Sequence, residues 1–304
     1  MTFAQLRTFE AVARLNSFSK AANELSLTQP AISAQVVALE AALKVKLFDR
    51  VGKTFSITER GKVVLRCAED LHRRVEQLHR ELEDLNDLNK GTLRIGGSQV
   101  VGVYLLPGIL SRFRTQYPLV ELKVQVHTSR QIVEMLLRGE LDIGVIGEGM
   151  PVADERIAVK PIMRDELIVI APPEHPIVET GSISPSDLSQ MPFVLPSKDS
   201  ASGESLLDQV HSAGITLHSV LEFGNVGAVK KAVEAGMGIS IVSRYAVLRE
   251  LAEGRLRCVD VRGMHFERPV SLCWHHGRPF SKLTTAFVHF IQRDVKTALE
   301  SPSL

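Results

Sequence analysis

Residues 18–40 read FSKAANELSLTQPAISAQVVALE and place two helical patterns side by side with almost nothing between them. The first pattern covers 19–26, and the second covers 29–43 and repeats apolar residues at every third or fourth position. Thr28 is a good N-cap for the second helix, and Pro30 fits its first turn because the N–H that proline lacks has no intrahelical partner there. The stretch predicts a helix–turn–helix, whose second helix enters the DNA major groove.

The surrounding residues and their charge support this prediction. A helix is expected from Phe3 to Leu15, and DRVGKTFSIT (49–58) alternates polar and apolar residues as a β-hairpin wing does. The first 66 residues carry ten Lys and Arg against five Asp and Glu, a net charge of +5; the whole chain has +1, so the remainder has −4. A basic surface at one end favours nucleic acid, with a small helical interaction bundle as the alternative.

Some contacts to double-stranded DNA follow from the helical pattern. If the apolar side of the second helix packs inward, then Gln29, Ser33 and Ala34 face outward near its start. Glutamine can pair with the N6 and N7 atoms of adenine, and serine can bond to a base edge or a phosphate. Arg50 and Lys53 in the wing are placed to contact the flanking phosphates.

A long charged helix is predicted from residue 58 to about 88. Its apolar positions step alternately by four and three residues, which is the period of a seam between two helices. We expect this helix to form a dimer, although packing on its own chain remains the alternative. The predicted dimerisation residues are Val64, Ala68, Leu71, Val75, Leu78, Leu82 and Leu85.

From Thr92 onward strands and helices alternate, which predicts an open, mostly parallel α/β sheet divided into two lobes. Ligands in such sheets bind beyond the carboxyl ends of strands, where helices begin. Four of these junctions carry small polar residues that could hold an anion at a helix N-terminus, or could be ordinary N-caps. They are Gly97-Ser98-Gln99, Thr128-Ser129, Ser200-Ala201-Ser202-Gly203 and Gly224-Asn225.

A family resemblance is carried by the motif TQPAIS-x-Q-xx-LE-xx-L-xxx-LF-x-R, which begins at Thr28, and by GTLRIGGSQVVGVYLLPGILSRFRTQYP and RGELDIGVIG farther on. The chain resembles LysR-type transcriptional regulators over nearly its whole length, and GGSQVVGVYLLP looks most like regulators of carbon-fixation, sulfur or nitrogen assimilation genes. The resemblance implies a multi-domain protein with an all-α winged helix-turn-helix domain (1–57), a linker dimerisation helix (58–89) and a two-lobed α/β effector domain of periplasmic-binding-protein type (92–304).

The same resemblance implies that lobe one covers about 92–161 plus 269–304 and lobe two about 162–268. It also implies a homodimer or homotetramer, a small-molecule effector and RNA polymerase as a candidate partner. The DNA contacts carried over by position are Thr28, Gln29, Pro30, Ser33, Gln35 and Arg50. The predicted effector-binding residues are Ser98, Gln99, Thr128, Ser129, Ser202, Gly203 and Asn225.

The chain departs from the family pattern at four positions. Ala34 and Val37 stand where relatives often carry Arg or Lys, which should flatten the salt dependence of DNA binding. Lys44 replaces a frequent glycine at a helix end. Gly203 occupies the place of an arginine found in relatives that bind strongly charged anions, which weakens the prediction of such an effector.

Other functions find little support in the residues. No GxxxxGK[ST], GxGxxG or GxSxG motif occurs, and the three cysteines have no CxxC spacing, so no enzyme activity, cofactor or metal site is predicted. His275 and His276 are adjacent and would point to opposite faces of a strand. No secretory signal or membrane span is visible, so we expect a cytoplasmic regulator; a transport-type solute-binding protein is the alternative.

Overall fold

The computed structural model describes residues 1–51, 54–84, 90–147, 154–197, 201–212 and 214–300. The chain forms two compact units, Met1–Leu82 and Glu83–Leu304, which are described separately. Their boundary falls inside the predicted linker segment 58–89. Of the described helices, none is both long and apolar enough to span a lipid bilayer.

The first unit contains four helices and a hairpin among its described residues. The elements are α1 (Phe3–Leu15), α2 (Phe18–Glu24), α3 (Gln29–Leu43), β1 (Phe48–Val51), β2 (Thr54–Ile57) and α4 (Glu59–Asp84). The predicted bounds of α1 and α3 and the predicted wing, in which β1 pairs antiparallel with β2, are confirmed.

Side-chain caps set the starts of the first three helices. The hydroxyls of Thr2, Ser17 and Thr28 each accept a hydrogen bond from the backbone three residues later. Each cap satisfies an N–H that has no partner within the helix. Ser17 starts α2 at Phe18, one residue before the predicted start, and the helix ends at Glu24.

The start of α4 packs on its own chain, which was the alternative to the predicted dimer seam. Ala68 is 1% exposed and lies in a cluster with Phe9 and Leu39, and Val64 packs against the same cluster. Leu71 is 46% and Leu78 is 53% exposed, whereas Val75 is half-buried. Leu85 and the side chain of Leu82 lie outside the described residues. The first heptad positions of α4 therefore pack into the chain's own core, whereas Leu71 and Leu78 remain exposed and accessible to a partner chain.

The second unit is an α/β structure. Its described strands are β3 (Gly91–Ser98), β4 (Val120–His127), β5 (Ile143–Gly147), β6 (Ile157–Ala171), β7 (Ser182–Ile183), β8 (Pro192–Pro196), β9 (His218–Phe223), β10 (Ser240–Ser243), β11 (Arg257–Val261) and β12 (Phe266–His275). Its described helices are α5 (Leu106–Gln116), α6 (Ser129–Arg138), α7 (Pro176–Thr180), α8 (Pro185–Leu188), α9 (Ala201–Ser212), α10 (Val226–Glu234), α11 (Leu248–Ala252) and α12 (Lys282–Glu300).

Two lobes share one sheet, in the order β4-β3-β5-β12-β6-β11-β7, with β10 also paired to β6. The long strands β6 and β12 run through both lobes: Met163 and Leu272 belong to the core of lobe one, and Leu167 and Phe266 belong to a core of lobe two. The parallel pair β8-β9 lies in lobe two. A single β-bridge joins Phe193 of β8 to Ile239, the residue before β10.

Proline shapes two elements of the second unit. The helical stretch from Val101 to Gln116 is split into a π-helical turn, Val101–Leu105, and α5, whose second residue is Pro107. Proline fits the first turn of a helix and not its interior, so the break falls there. Strand β6 begins at Ile157 and therefore contains Pro161. Its pairing with β12 shifts register beside this proline, between Val270 and Ser271, and such a bulge tolerates the N–H that proline lacks.

Lys44 ends α3 in the left-handed conformation, with a φ of 55°. A side chain with a Cβ is strained there, whereas glycine is not. We predict that Lys44→Gly raises the free energy of unfolding of the first unit by on the order of 0.5 kcal/mol, since part of the gain is offset by the greater freedom of glycine in the unfolded chain. Thermal unfolding of the full chain measures the change.

The matched control is Lys44→Ala, which removes the charge and keeps the Cβ. Its unfolding temperature should not rise. Equal stabilisation by both variants would mean that the lysine charge, and not the backbone conformation, is responsible.

Candidate DNA interface and effector cleft

The first turn of α3 is open to solvent above a buried face. Ile32 and Val36 are buried, whereas Thr28, Gln29 and Pro30 are exposed and Ser33 is half-buried. Thr28 caps the helix by accepting from the Ala31 amide at 3.4 Å. The Gln29 carboxamide oxygen is 3.4 Å from the Ser19 hydroxyl, a long contact that can be exchanged for another partner. The exposed turn thus offers an amide and a hydroxyl to a base edge.

Gln35 has a different environment from the other predicted contacts. Its carboxamide oxygen accepts a 2.6 Å hydrogen bond from the hydroxyl of Thr8, which is buried on α1. The bond joins α3 to α1 through the carboxamide oxygen of Gln35, and a DNA contact by Gln35 stays a prediction. A polar residue on the apolar side of α1 is the sequence signal that could have identified Thr8.

The wing is held by Glu40, which sequence reasoning missed. The Glu40 carboxylate accepts from the amide of Leu47 at 2.8 Å and from the amide of Phe48 at 3.3 Å, and it pairs with Lys46. Partial burial opposes ionisation, but these hydrogen bonds lower the pKa of Glu40, so the carboxylate remains charged. Arg50 has its backbone in β1; its side chain and the whole of Lys53 lie outside the described residues.

In lobe one, polar groups gather at the carboxyl edge of the parallel strands. Ser98 at the end of β3 is in register with His127 at the end of β4, so Ser98 and the start of α6 share this edge. The Ser98 hydroxyl accepts from the Gly147 amide at 3.0 Å. Thr128 forms a capping box with Gln131 at the start of α6. Gln99 is half-buried next to this group.

Ser129 is the unusual member of this group. Its side chain is 6% exposed, and its hydroxyl has no hydrogen-bond partner within the described part of the chain. A buried hydroxyl without a partner costs free energy, and it lies here in the first turn of α6, where backbone N–H groups and the helix dipole favour an anion. This combination is what a ligand site needs and a simple N-cap does not.

In lobe two, β8 and β9 are parallel and place Pro196 opposite Phe223, so the segments after both strands share an edge. Asn225 caps α10 by accepting from the Ala228 amide at 2.9 Å. Helix α9 begins at Ala201 and includes Ser202 and Gly203 in its first turn; the side chain of Ser202 lies outside the described residues.

The two edges come together. Val100, two residues after Ser98, lies in the same buried cluster as Val226, which directly follows Asn225. The segments that follow β3 and β9 therefore flank one buried cluster. The predicted effector residues Ser98, Thr128, Ser129 and Asn225 thus lie at the carboxyl ends of strands in the two lobes.

A buried ion pair joins β6 and β12, the two strands that run through both lobes. Asp165 on β6 accepts from the Arg268 guanidinium on β12, with both N–O distances at 2.9 Å, and from the Ser243 hydroxyl at 2.7 Å. Burial raises the pKa of the Asp165 carboxyl, although Arg268 and Ser243 act in the opposite direction. Sequence reasoning did not select these residues, although charges within apolar strands were a visible signal.

Comparison with known proteins agrees with both parts of the structure. Residues 3–62 match the bacterial regulatory helix-turn-helix protein of the lysR family, and residues 86–296 match the LysR substrate binding domain. The chain belongs to the LysR family of transcriptional regulators. It is therefore a DNA-binding regulator with an effector-binding domain, as the sequence predicted, and the transport-type alternative is disfavoured.

This LysR-type regulator resembles several named proteins. It is 35% identical over 291 residues to the "Probable RuBisCO transcriptional regulator" of Cyanidioschyzon merolae, covering 94% of this chain and 96% of the relative. Full-length CbnR, solved with its target DNA, shares the fold with a TM-score of 0.70 at 23% identity and covers 96% of this chain and 99% of its own. The regulatory domain of Synechocystis CcmR, solved with 2-PG, has a TM-score of 0.61 at 25% identity and covers 67% and 97%.

Removal of one partner from the buried ion pair of Asp165 and Arg268 should be strongly destabilising. We predict that Arg268→Leu lowers the free energy of unfolding of the regulatory unit by about 3 kcal/mol, because Asp165 is left buried without its countercharge. The double variant Asp165→Asn with Arg268→Leu should recover part of this loss. Urea unfolding measures both.

The control is the neighbouring pair of Arg244 and Glu166, which joins at 3.2 Å and is about half exposed. Arg244→Leu should cost less than about 1 kcal/mol because water screens that pair. Similar losses for Arg244→Leu and Arg268→Leu would contradict the importance assigned to burial.

Proposed function

We propose that this regulator binds a small anion between its two lobes and that the anion changes how its first unit acts on DNA. The observation that carries the proposal is the buried hydroxyl of Ser129, which has no partner among the described residues and lies at a helix N-terminus. An incoming acceptor oxygen would satisfy that hydroxyl and the neighbouring backbone amides together.

The residues around the cleft favour an anion of modest size with acceptor groups at both ends. One end would meet Ser98, Gln99, Thr128 and Ser129, and the other would meet Asn225 and the first turn of α10. Helix dipoles and hydroxyls hold an anion without a fixed positive side chain. Ser202 and Gly203 remain proposed contacts at the start of α9.

The relatives narrow the class of effector and target. Their names associate them with transcription of RuBisCO, and a regulatory domain of similar fold has been solved with 2-PG. We therefore propose that this chain regulates carbon-fixation genes and responds to an anion of the same class as 2-PG. Its expected location is the cytoplasm, where such an anion and DNA are both present, and its role requires no enzymatic step.

The proposed assembly uses α4. Leu71 and Leu78 are large, apolar and exposed one heptad apart, with Val75 between them. A second copy of α4 would cover them in a homodimer, and pairing of dimers would give the homotetramer typical of the family. RNA polymerase is the further partner that activation of transcription would require.

DNA recognition is proposed to use Thr28, Gln29, Pro30 and Ser33, with Arg50 and Lys53 on the flanking phosphates. We predict that Gln29→Ala weakens binding to the preferred operator by about tenfold, because a bidentate contact to a base contributes about 1–3 kcal/mol. The slope of log affinity against log salt should not change, since no phosphate contact is lost. Gel-shift titrations at several salt concentrations measure both.

Gln190→Ala, at an exposed glutamine of the regulatory unit, serves as the control and should bind as the parent does. If Gln29→Ala weakened binding to an unrelated DNA by the same factor, Gln29 would be a general contact and not a base-reading one.

Ser129→Ala tests the effector site. We predict that it weakens effector binding by about tenfold or more and that the free protein is equally or slightly more stable, because a buried hydroxyl without a partner is removed. Ser98→Ala is a less specific test, since it also removes the hydrogen-bond acceptor of the Gly147 amide. Binding of 2-PG by calorimetry, together with thermal unfolding without ligand, measures the two effects.

Ser240→Ala is the matched control. Ser240 is also buried and has a hydroxyl without a partner among the described residues, but it lies three residues before the carboxyl end of β10. It should leave 2-PG binding unchanged. Equal binding by the parent and Ser129→Ala would place the effector elsewhere.

A further inference from the structure

Tyr104 lies in the π-helical turn Val101–Leu105 of lobe one, but its ring packs against lobe two. It contacts the buried cluster that contains Val226 and Val229 of α10. The turn itself lies close to β3, because a Cβ on Gly97 would be 2.6 Å from the Cα of Gly102. π-Helical turns are rare and are found mostly at functional sites.

The ring of Tyr104 packs against a buried cation, the ammonium group of Lys230. The Lys230 Nζ is 4.7 Å from the ring centroid, a distance at which the cation is attracted to the ring face. Lys230 donates to the Ala246 carbonyl at 2.6 Å and to the Glu250 carboxylate at 2.8 Å, and both charged side chains are buried. These bonds hold the cation in place, so they also orient the tyrosine.

The hydroxyl of Tyr104 lies beside the first turn of α10. A Cβ added to Gly227 would be 3.8 Å from the Tyr104 hydroxyl and 3.1 Å from the side-chain oxygen of Asn225. Asn225 caps the amide of Ala228. The Tyr104 hydroxyl and the amides of Val226 and Gly227 have no hydrogen-bond partner among the residues that the structure describes. The Tyr104 hydroxyl therefore lies beside the first turn of α10, where the amides of Val226 and Gly227 are also donors.

We propose that Tyr104 is a specificity-determining residue of the effector cleft, whose hydroxyl donates a hydrogen bond to the acceptor group held at the first turn of α10. This inference rests on the proposed function and names the contact that selects the effector. A site built to hydrogen-bond a ligand strongly rejects an analogue that lacks the acceptor. Tyr104 therefore favours a carboxylate or phosphate at this end over an apolar group of the same size.

The test is calorimetric titration of the full chain with 2-PG. Tyr104→Phe should weaken binding about tenfold or more, because a hydrogen bond to a charged group is lost. Its thermal unfolding without ligand should match the parent, since only one oxygen is removed. Tyr117→Phe, at the other end of α5, is the control and should bind like the parent.

Gly227→Ala provides a second variant that removes no polar group. Its methyl would occupy the space between the Tyr104 hydroxyl and Asn225, so it should weaken 2-PG binding while α10 gains helix propensity. Parent affinity in both Tyr104→Phe and Gly227→Ala, with weak binding in Ser129→Ala, would overturn the role of Tyr104 and leave the cleft in place. Absence of 2-PG binding by the parent would overturn the ligand class and the role of Tyr104 with it.

Discussion

The antiparallel pairing of β6 with β12 is the constraint on which the regulatory unit depends. Both strands contribute side chains to the cores of both lobes, so the two lobes share one continuous sheet. The buried pair of Asp165 and Arg268 ties the same two strands at the level of the lobe boundary. Because these strands set how the lobes face each other, they also set the distance between the polar edges that form the cleft.

Side-chain caps begin helices in both units of the protein. Thr28, Thr128 and Asn225 each end an extended segment and satisfy a backbone amide of the helix that follows. The same local chemistry leaves exposed donors in different surroundings. On α3 these donors are open to solvent and suit a DNA groove, whereas on α6 and α10 they follow the carboxyl ends of strands and suit a small anion.

Local signals explain which parts of the structure the sequence could predict. The bounds of α1 and α3 depend on caps and apolar spacing within a few residues, and both were predicted correctly. The sequence left two interpretations of Ala68 open because a heptad seam looks the same whether the partner is another chain or the same chain's core, and the structure places Ala68 in the core. Gln35, Glu40 and Asp165 depend on contacts between elements distant in sequence, so their roles became visible only in three dimensions. Ser129 was predicted as a site residue, but only the structure shows that its hydroxyl has no hydrogen-bond partner among the described residues.

The burial of Ala68 has a mechanical consequence. Because the early turns of α4 are packed into the core that also contains Leu39 of α3, the two helices move as one body. From Ala68 to Asp84, α4 extends a further 16 residues, or roughly 24 Å at about 1.5 Å per residue. Helix α4 is therefore joined directly to the helix-turn-helix, and a tilt at its far end would also change the orientation of α3.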